Sequence, residues 1–297
     1  LIYGAIDIGS NAGRLLIGNA VEEDGMTSIK KFSLTRVPLR LGEDVFTDKR
    51  ISPARVKMLI KTLKAYKHLM DVYEVVEYRA CATSAMREAE NRKEILEQIK
   101  EETGIKLEII DGDEEAELIF STFNTMRFEA DKSYLYIDVG GGSTEVSLLE
   151  NGERKKSKSF KIGTLRILKG KVDESRWLEM KEWVKQLNPE HKEIYAIGTG
   201  GNINRILKIN RSEEDNHITY ADIKRIQAYM ESYTLEDRIN KLGLRPDRAD
   251  VIVPAADIYL AVMRYADVTE MIVPKVGLSD GIIYELYKKN KKKVLVR

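Results

Sequence analysis

The sequence is short of several residue types. It holds one cysteine and three histidines in 297 residues. A lone thiol excludes a disulfide within the chain, and so few thiols and imidazoles give no Cys/His zinc pattern. Cys81 lies in the apolar stretch Val75–Ala82, where a small buried hydrophobe is expected. Net charge is also missing, since 49 Lys and Arg balance 48 Asp and Glu. There is no global basic field to draw nucleic acid, so any polyanion site must be local. No apolar run reaches the roughly 18 residues of a membrane-spanning helix, and no charged-then-apolar leader opens the chain. A cytoplasmic protein without nucleic-acid or membrane partners is expected. The length allows one large or two medium domains with well-buried cores.

What is present is glycine in particular places. Tyr134–Val139 is a short apolar run, Gly140–Gly142 a triple glycine, and Val146–Leu149 apolar again. Two apolar runs about a tight glycine turn read as a β-hairpin. Glycine lets backbone N–H groups approach a phosphate with no Cβ in the way. Ser143 and Thr144 add hydroxyl donors. Asp138 and Glu145 flank the turn, and two ionised carboxylates would repel a phosphate unless a cation lay between. Their oxygen chemistry points to Mg2+.

The design recurs. Ala5 to Asn11 has an apolar strand, an aspartate, small residues and polar donors. Ile194–Ile197 leads into Gly198-Thr-Gly-Gly-Asn202, which opens a helix, and helix N-termini suit anions. Three such turns at strand ends are improbable as unrelated loops.

Read in order, residues 1–37 are strands, with a polar loop from Arg36 to Asp48. Ser52-Pro53 starts a helix that runs to Met70. A strand ends at Cys81, and Thr83-Ser84 caps a single helix that carries Arg87 and ends at Gly104. Arg87 can hold a phosphate bidentately or pair with Glu88, Glu90 or Glu94. After a strand at Ile105–Ile110, a helix runs from Glu114 to about Met126. The acids of its first turn, Glu114, Glu115 and Glu117, are explained by the helix dipole alone. Asn151-Gly152 marks a hairpin. Thr219 and Thr234, each with an acid three residues on, cap two helices. One long helix spans Arg248–Tyr265, and Pro254 must kink or start it. The C-terminal lysines, Lys288 to Lys293, read as a solvated helix end, the alternative being a track for a phosphate polymer.

Four motifs carry a resemblance. Asp7-Ile-Gly-Ser-Asn11 and Asp138-Val-Gly-Gly-Gly-Ser-Thr-Glu145 resemble the two phosphate loops of the actin/hexokinase superfamily. Ala82-Thr-Ser-Ala-Met-Arg87-Glu-Ala and Gly112-Asp-Glu-Glu115-Ala-Glu-Leu-Ile resemble the exopolyphosphatase / guanosine pentaphosphate phosphohydrolase (Ppx/GppA) family, over nearly the whole chain to about Leu286. The resemblance implies an α/β fold of two ribonuclease-H-like (actin-like ATPase) domains, residues 1–126 and 127–297, hinged near Arg127–Lys132 with the active site in the cleft. The last helix would return to the first domain.

The implied activity is hydrolysis of a phosphoanhydride, releasing orthophosphate from polyphosphate or a nucleotide polyphosphate. Glu115 takes the place of the family's catalytic carboxylate. Ser10, Asn11, Arg87, Gly141, Gly142, Ser143 and Thr144 would hold phosphates, with an anion contact also at Arg40. Asp138 and Glu145 would hold Mg2+, with Asp7 a further candidate for metal or water. Ser279 stands where the family often carries arginine, and the chain stops where longer relatives add an HD-type domain, so a short form is expected. A homodimer is compatible with such an enzyme. The alternatives are a sensor that binds guanosine penta- or tetraphosphate without cleaving it, and a superfamily kinase using ATP.

Overall fold

A computed structural model describes residues 1–23, 26–122, 132–187, 194–210 and 216–295. The chain divides into two compact units, 1–127 joined by 276–297, and 128–275. The hinge expected near Arg127–Lys132 lies, apart from Lys132, outside the described residues, as does the expected helix end at Met126.

The first unit runs β1 (Tyr3–Ile8), β2 (Gly13–Glu23), β3 (Met26–Val37), α1 (Leu41–Asp48), α2 (Pro53–Val72), β4 (Glu77–Ala82), α3 (Ser84–Glu88), α4 (Arg92–Thr103), β5 (Leu107–Ile109) and α5 (Gly112–Ser121). Its sheet has the order β3-β2-β1-β4-β5. The first three strands form an antiparallel meander and β4 and β5 join parallel to β1. That is the ribonuclease-H-like arrangement. β1 is buried along its length, as befits the central strand.

Two expectations change here. The loop before Asp48 contains α1, whose Leu41, Val45 and Phe46 are buried. The helix expected from Thr83 to Gly104 is broken at Ala89–Asn91. There Glu90 N–H donates to the Lys49 carbonyl (2.8 Å). The Asn91 amide pairs with both backbone groups of Ile51, at 3.0 and 2.9 Å. The Glu90 N–H is thus spent outside the helix, and the Asn91 side chain ties the break to the chain at Ile51.

The second unit runs β6 (Ser133–Val139), β7 (Thr144–Glu150), β8 (Glu153–Phe160), α6 (Thr164–Leu168), α7 (Glu174–Lys185), β9 (Ile194–Thr199), α8 (Gly201–Asn210), β10 (His217–Thr219), α9 (Tyr220–Glu231), α10 (Leu235–Asn240), α11 (Pro246–Ala249), α12 (Ile252–Ala266) and β11 (Glu270–Ile272). The sheet order is β10-β11-β9-β6-β7-β8, again an antiparallel meander, β6 to β8, beside parallel strands, β9 and β11. The β7–β8 turn has Asn151 at φ 54° and Gly152 at φ 72°, the two left-handed residues that the Asn-Gly signal demands. The capping box at Thr219 and Asp222 forms. The long helix expected from Arg248 is two, and Pro254 sits in the first turn of α12, where a missing N–H costs nothing. α12 is nearly all apolar and lies in the core with the sheet's inner face.

The final helix, α13 (Leu278–Leu295), packs on the sheet of the first unit and against α5. Its Lys289 and Lys291 pair with Glu77 (3.2 Å) and Glu22 (2.5 Å), so both lysines meet carboxylates of the same unit.

Candidate functional site: two anion cradles

In the second unit, β6 ends at Asp138-Val139 and β7 begins at Thr144. Between them Gly140 N–H donates to the Ser143 carbonyl (2.9 Å). The start of α6 lies behind this turn. The Gly140 carbonyl accepts from Thr164 N–H (3.1 Å) and the Gly141 carbonyl from Leu165 N–H (2.9 Å). The Gly142 carbonyl accepts from Arg166 Nε (2.6 Å). A trans peptide points its N–H opposite to its carbonyl, and no cis peptide occurs among the described residues. The N–H groups of Gly141, Gly142 and Ser143 are therefore all turned away from α6. Three successive amides turned to one side have the form of an anion nest. The fit behind them is close: a Cβ on Gly163 would stand 2.5 Å from the Gly142 carbonyl carbon.

Beside the nest, Asp138, Glu145 and Ser159 form one cross-strand row. Glu145 is buried and its Oε1 accepts from Ser143 Oγ (2.7 Å) and Ser159 Oγ (2.8 Å). Asp138 Oδ1 accepts from Thr199 Oγ1 (2.8 Å), and Tyr136 OH lies 2.7 Å from the same hydroxyl. Two neighbouring carboxylates and hydroxyls form an all-oxygen set suited to a hard cation. Among the described residues no group of three or more His, Cys, Asp and Glu side chains is placed to hold a metal. A cation here would complete its shell with substrate oxygens and water, as Mg2+ does at phosphate sites.

Thr144 departs from expectation. Its side chain is fully buried and its hydroxyl donates to the Ile162 carbonyl (2.6 Å). The phosphate contact expected of that hydroxyl is replaced by an internal bond. The third glycine turn is also occupied from within. The Arg248 guanidinium packs over Gly201 and donates to Asn202 Oδ1 (2.9 Å).

The first unit repeats the turn. Gly9 N–H donates to the Ala12 carbonyl (3.0 Å), and the Asn11 and Ser10 carbonyls accept from Arg40 N–H and Gly42 N–H at the start of α1, both at 2.9 Å. By the same peptide geometry, the N–H groups of Asn11 and Ala12 face away from α1. Ser10 Oγ is buried without a hydrogen-bond partner, a hydroxyl available to a ligand in that nest. The cross-strand row here is Asp7, Arg14 and Arg36. Arg14 Nη1 lies 3.0 Å from Asp7 Oδ2. Burial pushes the Asp7 carboxyl above its usual range, and Arg14 only partly offsets it. Asp7, expected as a metal or water ligand, thus has a guanidinium for its partner. Arg40, expected at an anion, pairs with Glu43 (2.7 Å).

Two further loops reach the same edge of this sheet. Thr83 N–H donates to the Ile8 carbonyl and Ile110 N–H to the Ala82 carbonyl, each at 3.1 Å. The chain after β1, β4 and β5 is thereby stitched together, and ligands of α/β sheets bind beyond such strand ends. Arg87 Nη1 donates to the Ile110 carbonyl (2.7 Å), directly before Asp111, the N-cap of α5. Glu115 is half-buried in the first turn of α5. Asn11, Arg87 and Glu115 therefore come from three neighbouring loops at one sheet edge. Arg14, Thr199 and Arg248 escaped sequence reading. Arg14 alone had a signal there: it stands as far beyond Asp7 as Glu145 stands beyond Asp138.

These features define a class: α/β proteins of two ribonuclease-H-like units, each presenting a main-chain anion cradle at a hairpin turn. More narrowly, residues 20–290 match the model of the Ppx/GppA phosphatase family, and the chain belongs to that family. It is 28% identical to the bifunctional 3-dehydroquinate synthase/phosphatase of Fusobacterium nucleatum over 96% of this chain, but spans only 46% of that protein. It is 25% identical to exopolyphosphatase 1 of Mycobacterium tuberculosis, over 94% of this chain and 86% of the relative. It is 24% identical to the guanosine-5'-triphosphate,3'-diphosphate pyrophosphatase of Photobacterium profundum, over 97% and 60%. Among solved structures, an Aquifex aeolicus Ppx/GppA family member superposes with a TM-score of 0.75 at 25% identity, covering 98% of each chain. The Cytophaga hutchinsonii exopolyphosphatase superposes with a TM-score of 0.81 at 24% identity, covering 97% of this chain and 98% of its own. No helix among the described residues is long and apolar enough to cross a membrane.

Proposed function

We propose that this chain hydrolyses terminal phosphoanhydride bonds, releasing orthophosphate from inorganic polyphosphate or from guanosine pentaphosphate. The observation that carries the proposal is the backing of each turn by a helix start, which turns the N–H groups of Gly141, Gly142 and Ser143, and those of Asn11 and Ala12, away from that helix. Such amides favour an anion that has no proton to offer, and phosphoryl transfer asks for positioning and charge neutralisation above all. In the second unit the nest holds phosphate oxygens, and Asp138 and Glu145 hold Mg2+, directly or through water. In the first unit Ser10, Asn11, Arg14 and Arg87 hold phosphate. Bound Mg2+ would supply neutralisation of developing phosphate charge. Glu115 orients the attacking water and takes its proton. The names of the mycobacterial and Photobacterium relatives supply the two substrate classes.

The test is phosphate release from short polyphosphate, long polyphosphate, guanosine pentaphosphate and ATP, each with and without Mg2+. Glu115→Gln is expected to fold as the wild type and to lower kcat by about 10²–10⁴-fold, the usual scale for loss of a general base. Wild-type turnover in that variant removes Glu115 from the mechanism. Tight binding of guanosine pentaphosphate with no release of phosphate from any substrate would make the protein a sensor instead.

A further inference from the structure

Glu115 can be no better placed than the helix that carries it, and two contacts fix α5 within the first unit. The first is Arg79 on β4. Its Nε donates to Glu108 of β5 (3.0 Å), its Nη2 to Glu114 of α5 (2.5 Å) and its Nη1 to Glu285 of α13 (2.7 Å). One guanidinium, four-fifths buried, thus joins three carboxylates from three elements. Its planar fork is pre-organised for such contacts in a way an ammonium is not. The second contact is a crossing of backbones. A Cβ on Gly281 of α13 would stand 2.0 Å from the Leu118 carbonyl oxygen of α5, one turn beyond Glu115. Only glycine permits that approach. The start of α13 is held in turn by Asp280, which pairs with Lys31 (2.7 Å) and accepts from Gly277 N–H (3.0 Å).

Glu114 and Glu115 are adjacent, so on a helix they project about 100° apart. Binding Glu114 to Arg79 sets the rotation of the first turn, and that rotation sets the direction of Glu115. We infer that Arg79 is a positioning residue for Glu115, acting through Glu114 and Glu285, with the Gly281–Leu118 crossing as the pivot. The inference rests on the reading of Glu115 as the general base. It also separates the two acids: one tethers the helix and the other faces the substrate.

The test uses the full chain, with phosphate release from short polyphosphate resolved into kcat and KM and thermal unfolding followed alongside. Arg79→Met is expected to lower kcat about tenfold with KM within about twofold, as displacement of a catalytic group does. Arg79→Lys should recover part of the loss. Glu114→Gln should fall on the same side as Arg79→Met and carries the test if the latter does not fold. The deciding measurement is Arg79→Met in a Glu115→Gln background. If Arg79 works through Glu115, the second change adds no further loss, because residues acting as a unit are not additive. Full multiplication of the two losses, or wild-type kcat in both Arg79→Met and Glu114→Gln while Glu115→Gln is impaired, overturns this inference and leaves the general base standing. Wild-type turnover in Glu115→Gln removes the general base itself, and this inference with it.

Discussion

The hairpin turns that follow β1 and β6 are alike in backbone and opposite in charge. Each closes on a glycine N–H bonded to a carbonyl three residues on, at 3.0 Å in one and 2.9 Å in the other, and each has a helix start bonded to its carbonyls. Each is led by an aspartate one residue before the strand end. The cross-strand rows then diverge: Asp7–Arg14–Arg36 in the first unit, Asp138–Glu145–Ser159 in the second. One framework thus serves two electrostatic tasks. The first row brings an excess of positive charge to its cradle and neutralises its own aspartate. The second sets two carboxylates side by side, and under the proposed function these would hold Mg2+. The difference teaches that one main-chain turn can be built twice while the residue opposite the aspartate changes its charge; under the proposed function that residue decides whether the turn brings its own cation or recruits one.

The sharpest way to break that comparison is to set the two units' sensitivities side by side. Glu145→Gln is expected to raise the Mg2+ concentration for half-maximal phosphate release by about 10–100-fold, the range typical of groups that support a metal. Arg87→Met, which removes a proposed phosphate contact of the first unit, should leave the Mg2+ requirement unchanged and raise KM by about tenfold, as for a lost charged hydrogen bond. Equal shifts of both constants in both variants would show that the units do not divide the work.

Removing the internal countercharge is the next largest effect. Arg14→Met leaves the buried Asp7 carboxylate alone. Breaking such a pair costs about 3–5 kcal/mol, and the lower figure applies because the Arg14 side chain is 32% exposed. Urea unfolding at pH 7 reads this loss, and adding Asp7→Asn should recover most of it. No such penalty is expected for Ser159→Ala in the second row, where no cation is removed. A smaller effect separates the turns' backing. Gly163→Ala must push aside the Gly141 and Gly142 carbonyls, 2.6 and 2.5 Å from the new Cβ, and overpacking of that kind costs about 1–3 kcal/mol. Gly9→Ala meets the Ala12 carbonyl oxygen at 3.4 Å and should stay within about 0.5 kcal/mol of the wild type. Equal losses would mean that the two turns do not differ in how closely they are packed.

What the sequence made legible was local. Both glycine turns, the Asn151-Gly152 hairpin and the threonine caps declare themselves within a few residues, because their physics is φ and short-range hydrogen bonding. The break at Asn91 was not legible, because its cause, Ile51, lies forty positions away. α1 was hidden by the charges among its apolar positions: Glu43 and Asp44 look like loop residues until Arg55 is seen to gather both. At the site, residue types and spacing pointed to Asp138 and Glu145, while Glu115 was picked from its neighbours Glu114 and Glu117 only by the family resemblance. They could not reveal that Thr144 turns inward to Ile162, nor that Thr199 donates to Asp138. Those facts belong to strand register and to which face a residue takes, and a shift of one position reverses them.

The smallest expected effect tests what holds the helix behind each turn. In the second unit the backing is direct, through Arg166 on the Gly142 carbonyl. In the first, where the backbone of the α1 start makes the bonds to the turn, side chains instead hold the helix from behind: Asp44 of α1 accepts from Ser52 N–H (2.9 Å) and Arg55 Nε (2.8 Å). Burial alone would raise the Asp44 carboxyl, but the bonds from Ser52 and Arg55 outweigh it and hold the group below its usual range. A lowered value in the folded state means that the unfolded chain binds more protons in the interval just below the ordinary value of about 4, so stability falls as pH falls through it. Asp44→Asn should therefore cost about 1 kcal/mol at pH 7, and its deficit should close only below about pH 4. Asp7 has the opposite sign. Its folded value is raised, and Arg14→Met raises it further, so that variant's deficit should shrink on the neutral side of pH 4, as acid neutralises the buried carboxylate. Paired pH titrations of urea stability read both slopes. Deficits that close in the same interval would mean that the two aspartates are held by the same forces, and the contrast between the two anchors would be lost.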